Sequence, residues 1–133
     1  MRLVINGTMP KDLINLIRRS DSPRRSAVSV AGALVDTIFM AGIYEGEELI
    51  AFGRICGDGS IYFLICDIIV DRRYLGRRLD IKIFKELNDF LVAAMPKGAE
   101  AIVIARPPLG KICARFGYKY IDTDYLVPMR RKG

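Results

Sequence analysis

Hydrophobic positions along this chain switch between a period near two and a period near 3.6 residues, and the switches mark its elements. Arg2–Ile5 reads as a short strand ending at the turn dipeptide Asn6-Gly7. Thr8 is the expected cap of a helix with Pro10 in its first turn. That helix has an apolar face of Leu13, Ile14, Leu16 and Ile17, and Arg18-Arg19 suit the negative end of its dipole. After the loop Ser20-Asp21-Ser22-Pro23, Ser26–Leu34 is a second helix of small residues. Asp36–Tyr44 and Glu48–Cys56 read as strands joined by Glu45-Gly46-Glu47, with glycine where a hairpin needs positive φ. Gly57-Asp58-Gly59 is the next tight turn, and Ser60–Val70 a long strand. Its runs Phe63-Leu64-Ile65-Cys66 and Ile68-Ile69-Val70 predict burial on both faces, hence a central position.

A basic loop, Asp71–Arg78, leads into an amphipathic helix over Leu79–Met95, with Ile81, Ile83, Phe84, Leu87, Phe90 and Leu91 at helical spacing. Ala101–Ala105 predicts another buried strand, Arg106-Pro107-Pro108 a loop, and Leu109–Phe116 a short helix closed by Gly117. Tyr118–Ile121 and Tyr125–Met129 read as closing strands. The order β-α-α-β-β-β-α-β-α-β describes an α+β fold in one domain over residues 1–133. Its sheet is expected to be mixed and mostly antiparallel, with six or seven strands and four flanking helices. Ser26–Tyr44 is nearly all apolar over a length that could span a bilayer, but Asp36 interrupts it. A buried helix followed by a strand is the expectation there. No signal-peptide layout and no CxxC spacing among the three cysteines point to reduced thiols in the cytoplasm, away from membranes.

Composition narrows the chemistry. The 133 residues contain no histidine, which excludes Ser-His and Cys-His pairs, imidazole metal sites and a histidine proton switch. No metal site is expected. The net charge of +6 is unevenly spread: residues 1–25 carry +4, residues 26–71 carry −6, and residues 72–97 and 98–133 carry +4 each. A basic total invites a nucleic-acid reading, but no RNP or helix-turn-helix pattern supports it, and nucleic acid is not an expected partner. Acidic and basic blocks side by side fit a domain that holds an anionic ligand on one side and a cationic one on the other.

The informative junction is strand, basic loop and helix over Val70–Asp80. A helix N-terminus offers free N–H groups and a positive dipole end to a phosphate. Gly76 permits close backbone approach there, and Arg72, Arg73, Arg77 and Arg78 crowd around it with guanidinium forks. Four segments in order carry a resemblance. Gly53-Arg54-Ile55-Cys56-Gly57-Asp58-Gly59-Ser60-Ile61-Tyr62 is similar to a "G-R-x-x-x-D-G-x-x-Y" hairpin, and Cys66-Asp67-Ile68-Ile69-Val70 to a "Q-D-V-x-V" strand. Tyr74-Leu75-Gly76-Arg77-Arg78-Leu79-Asp80 stands where "Y-Q-G-K-G-I-G" is found, and Ile112-Cys113-Ala114-Arg115-Phe116-Gly117-Tyr118 where "F-Y-E-K-F-G-F" is found. In these segments the chain resembles the GNAT-type acyl-CoA-dependent N-acetyltransferases, in particular a small single-domain bacterial branch.

The resemblance implies acetyl transfer from acetyl-CoA to a primary amine of a small molecule or peptide, by direct attack in a ternary complex. It implies that Ile68, Ile69 and Val70 pair with the pantetheine arm and polarise the thioester carbonyl through a backbone N–H. It implies that Leu75, Gly76, Arg77, Arg78, Leu79 and Asp80 wrap the pyrophosphate, and that the protein is a homodimer. Two departures stand out. Arg78 and Asp80 occupy positions where the family favours glycine or a small residue, and Leu75 replaces a Gln or Arg. Cys113 stands where a tyrosine usually protonates the departing thiolate; it is the candidate acid, with a small buried helix residue as the plain alternative. Tyr118, Tyr120 and Tyr125 are its substitutes. Asp67 is the candidate for orienting the amine or a water, beside a structural pairing with Arg54 on the next strand. Asp58 reads as a turn former and Cys56 and Cys66 as core. The rival readings are a degenerate GNAT-fold binding or regulatory protein and, last, a basic nucleic-acid-binding domain.

Overall fold

Three consecutive segments rich in apolar residues pair as an antiparallel meander: β2 (Phe39–Glu45), β3 (Glu48–Gly57) and β4 (Tyr62–Val70). In the computed structural model, which describes residues 1–133, they form the middle of a five-stranded sheet ordered β1-β2-β3-β4-β5. β1 (Arg2–Ile5) is antiparallel to β2 at one edge, and β5 (Glu100–Val103) is parallel to β4 at the other. Helices α1 (Pro10–Arg18) and α2 (Ala27–Val35) precede β2. A 3₁₀ turn at Arg72–Tyr74 and α3 (Leu79–Ala94) connect β4 to β5, and α4 (Pro107–Arg115) follows. No helix is long and apolar enough to cross a membrane.

The α+β class, the four helices and the element order as far as α4 match the sequence expectation, but the closing strand of that order is absent and the sheet has five strands rather than six or seven. Tyr118–Ile121 and Tyr125–Met129 form no strand, and Tyr120 and Tyr125 are 85% and 83% exposed. A strand needs a ladder partner and a face to bury. Tyr118 packs edge-on against Phe84, but the rest of these segments is exposed, and Pro128 offers no N–H to a ladder. At the other end, Met9 rather than Thr8 holds the cap position of α1, whereas Ser26 caps α2 by accepting the Ser29 N–H at 3.1 Å.

Both faces of the sheet are covered, which is why β3 and β4 read as doubly apolar. On one face Phe39, Ile55, Phe63 and Ile65 pack against Ile83, Phe84 and Leu87 of α3 and Leu109 of α4. On the other, Leu13, Leu16 and Ile17 of α1 and Val30 and Leu34 of α2 cover Leu49, Phe52 and Ile69. Each such side chain contributes roughly 1.5–3 kcal/mol by leaving water.

Where β4 ends, a fully buried carboxylate organises three elements. Asp71 accepts from Arg19 Nε at 2.7 Å, from Arg73 Nη2 at 2.7 Å and from the Arg73 backbone N–H at 2.9 Å. Arg19 also donates to the Leu49 carbonyl at 2.7 Å, and the Arg72 N–H bonds to the Arg19 carbonyl at 2.9 Å. Burial alone would raise the Asp71 carboxyl; the hydrogen bonds from Arg73 and Arg19 outweigh it and hold the group well below the usual carboxylate range.

A depressed folded value means stability that is present above the unfolded value and lost as pH falls through the folded one. Unfolding free energy should therefore decline below about pH 4, as Asp71 begins to take up its proton preferentially in the unfolded chain. Asp71→Asn should cost roughly 3 kcal/mol at neutral pH, by stranding the arginines, and should flatten that acid limb. Denaturant titrations of both proteins at roughly pH 7 and pH 3 check both expectations.

Candidate functional site

The site begins where β4 loses its second neighbour. Parallel pairing with β5 ends at Ile65↔Val103, so Cys66–Val70 have β3 on one side and no strand on the other. A bulge sits at that point. Phe52 faces Ile69 and Arg54 faces Cys66, which leaves Gly53 alone opposite Asp67 and Ile68, and Asp67 takes φ +54°. A bulge of this kind bends its strand, here at the place where β4 and β5 part. Gly53 makes room for it. A Cβ there would clash with Ile83 of α3 and stand 3.0 Å from Leu87 and 3.4 Å from Ile68.

A cleft of about 170 Å³ opens beside the freed edge. Ile68, Ile69 and Val70 form its strand wall, and Leu75, Gly76, Arg78, Leu79 and Asp80 its loop and helix wall. Eight of the nine residues expected to hold the donor thus line one cleft; Arg77 does not, and its guanidinium lies 5.1 Å from the Tyr74 ring centroid. The backbone edge points into the opening. Because the Asp71 N–H bonds to the Ile50 carbonyl on β3 at 2.9 Å, the Val70 N–H, one residue earlier, faces away from β3.

The first-turn amides of α3 have no preceding carbonyl to bond, so they and the dipole favour an anion at this end. Arg78 enters α3 with φ +61°, a conformation glycine adopts freely and an L side chain adopts at a cost. Asp80 bonds the Ile81 N–H at 2.9 Å, which makes it part of the first helical turn as well as of the cleft wall. Two of the four arginines in the basic loop are already committed. Arg72 donates to Asp21 at 2.7 Å, and Arg73 to Asp71 and to Glu48 at 3.1 Å. The Arg72 hydrogen bond holds the Asp21 carboxyl below its ordinary range.

A second cleft, of about 200 Å³, lies on the α1–α2 side of the sheet. Leu13 and Ile17 of α1 and Ser29, Val30 and Ala33 of α2 form its walls, with Arg25 from the intervening loop. Arg54 and Asp67 form its polar end, joined by Arg54 Nε to Asp67 Oδ2 at 2.6 Å. Ile69 and Ser22 belong to both clefts, so the two meet across β4 just beyond the bulge.

No protein-family model matches the chain, and no curated protein matches it. Solved structures do match. A protein of unknown function from methicillin-resistant Staphylococcus aureus, described as a probable acetyltransferase, superposes with TM-score 0.87 at 22% identity, covering 99% of this chain and 98% of its own. A GNAT-family acetyltransferase from Streptococcus pneumoniae gives TM-score 0.74 at 16% identity over 99% and 98% of the two chains. Glucosamine-6-phosphate N-acetyltransferase from Arabidopsis thaliana gives 0.67 at 15% identity over 99% of each. The chain has the GNAT fold.

Within this GNAT fold several sequence candidates stand outside both clefts. Cys113 is 4% exposed, packs with the core beneath α4, and lines neither cleft; burial raises its thiol. Tyr118 donates to Asn88 Oδ1 at 3.0 Å, and burial pushes it up to about 12. Cys56 and Cys66 are half-buried with their sulfurs 3.7 Å apart, and burial pushes the Cys66 thiol up to about 12. Asp58 accepts the N–H groups of Ser60 and Ile61 at 2.8 Å and Tyr62 at 3.0 Å, a turn former. Asp67 has the Arg54 pairing that its place in an apolar strand required, yet its side chain remains 38% exposed in the second cleft.

Three contributors were not singled out in the sequence. Tyr74 and Arg106 line the first cleft, and the Asp21–Pro23 loop borders both. A signal for Arg106 existed: it follows the C-terminal end of β5, and ligand crevices in sheets with parallel strands open at those ends.

Two substitutions test this local geometry through stability. Arg78→Gly should raise unfolding free energy by up to about 1 kcal/mol, by removing the left-handed strain. Gly53→Ala should lower it by roughly 1–3 kcal/mol, because neither β4 nor α3 can retreat without loosening the core. Chemical denaturation reads both.

Proposed function

We propose that the protein is an N-acyltransferase that moves an acetyl group from acetyl-CoA to a primary amine, in one step within a ternary complex. The observation that carries this reading is the meeting of two clefts at Ile69, one anion-favouring and beside a freed strand edge, the other holding an exposed carboxylate. The reaction named for the S. pneumoniae and A. thaliana proteins supports the same class.

The donor's fit rests on chemistry already present. The α3 N-terminus with Arg78 and Arg106 suits the pyrophosphate, and the open Ile68–Val70 edge suits an extended amide-bearing arm. The thioester carbonyl would then lie near the Val70 N–H, which stabilises the oxyanion that develops as the amine attacks. In that step a C–N bond forms and the C–S bond breaks. Asp67 orients the incoming amine and the water that collects its proton. The CoA thiolate leaves and takes a proton from solvent, since neither Cys113 nor Tyr118 reaches the clefts.

A second reading has its own support: a binding or regulatory protein on the same fold. Asp21 and Asp80 add negative charge to the cleft that would take phosphates, and Arg78 fills a glycine-like position. The nucleic-acid reading has no comparable feature.

Titration calorimetry with acetyl-CoA and CoA separates the two. Micromolar binding of both is expected, and Arg78→Glu with Arg106→Glu should weaken it at least about tenfold, from loss of charge-assisted hydrogen bonds. No binding to the folded wild-type protein would favour the regulatory reading. Cys113→Ala should leave acetyl-CoA affinity and amine turnover near wild type; a large fall in turnover alone would return the thiol to the chemistry.

A further inference from the structure

The second cleft is a mismatch for a simple amine or a polyamine. Its charged lining consists of Arg25, Arg54 and Asp67. Arg54 and Asp67 cancel each other through their 2.6 Å contact, whereas Arg25 forms no ion pair anywhere in the chain. The cleft therefore carries one uncompensated positive charge. A second ammonium brought there would meet repulsion, but a carboxylate would find a guanidinium of matching fork geometry. Ser29, whose hydroxyl bonds Ser26 Oγ at 3.0 Å on the first turn of α2, stands on the same wall as a further polar partner.

We infer that the acceptor is a free amino acid with a modest apolar side chain, a conclusion that rests on the N-acyltransferase reading. Three features select it together. Asp67 uses only Oδ2 toward Arg54, so Oδ1 is available to an amine N–H at the end of the cleft nearest Ile69. Arg25 supplies the site for the carboxylate. Leu13, Ile17, Val30 and Ala33 line the remainder with apolar surface, which rewards an aliphatic side chain and offers nothing to a sugar's hydroxyls. A volume of about 200 Å³ also suits a molecule well below drug size, for which pockets run to roughly 300–1,000 Å³.

The test is calorimetric titration of the full chain, with and without CoA, using leucine, isoamylamine (leucine without its carboxyl), spermidine and glucosamine 6-phosphate. Leucine should bind at least about tenfold more tightly than isoamylamine, the scale of a charge-assisted hydrogen bond to Arg25. Arg25→Ala, a change at an exposed loop position, should erase that difference and leave acetyl-CoA binding intact. Equal or tighter binding of isoamylamine or spermidine would overturn the inference. So would preference for glucosamine 6-phosphate, or no binding of any of the four by a protein that binds acetyl-CoA. If acetyl-CoA fails to bind while leucine is still discriminated through Arg25, the acyl-transfer reading falls and the amino-acid site stands. If neither binds, both fall.

Discussion

A carboxylate sealed from solvent at the end of β4 fixes the positions of both walls of the site. Asp71 has two guanidinium partners, and those arginines come from opposite directions. Arg19 arrives from the end of α1 and Arg73 from the turn that leads to α3. Satisfying one buried charge therefore sets where the α1–α2 loop begins and where the loop into α3 begins. The same carboxylate commits the Arg73 guanidinium within the fold, and Asp21 does the same for Arg72. Arginines that look alike in a linear sequence are divided by this geometry into those that hold the backbone and those, Arg78 and Arg106, that face open space.

The second constraint is the bulge. β4 must be a ladder partner for β5 over one half and an open edge over the other, and one extra residue at Asp67–Ile68 accomplishes the change. Gly53 permits it by having no side chain between the bulge and α3. Asp67, held in a left-handed conformation, is turned toward the α1–α2 face, where Arg54 meets it. A single local irregularity thus frees the strand edge beside one cleft and aims a carboxylate into the other.

Much of this was legible in the sequence because it depended on local pattern. The doubly apolar runs in Ser60–Val70 forecast a central strand, and the helical spacing from Ile81 to Leu91 forecast α3 almost to the residue. The Arg54–Asp67 pair followed from the cost of a lone carboxylate in an apolar strand. What escaped depended on distance. Nothing in the run Arg72-Arg73 discloses that Asp21 and Glu48 will claim those side chains. The expected closing strands failed because alternation alone does not supply a ladder partner. Cys113 was a candidate by position in a motif, while its burial is decided by how α4 packs, through Leu109, on the core that includes Phe84 of α3.

Ser22 borders both clefts, on the short loop that Arg72 tethers through Asp21. A wall shared by two clefts would make the occupancies of ligands bound in them a linked equilibrium. If one ligand restrains that loop, the ordering cost falls on the first arrival and is spared the second, and the change in affinity is the same factor in either direction. Order of addition would then be a matter of kinetics, because the thermodynamic cycle closes whichever molecule enters first.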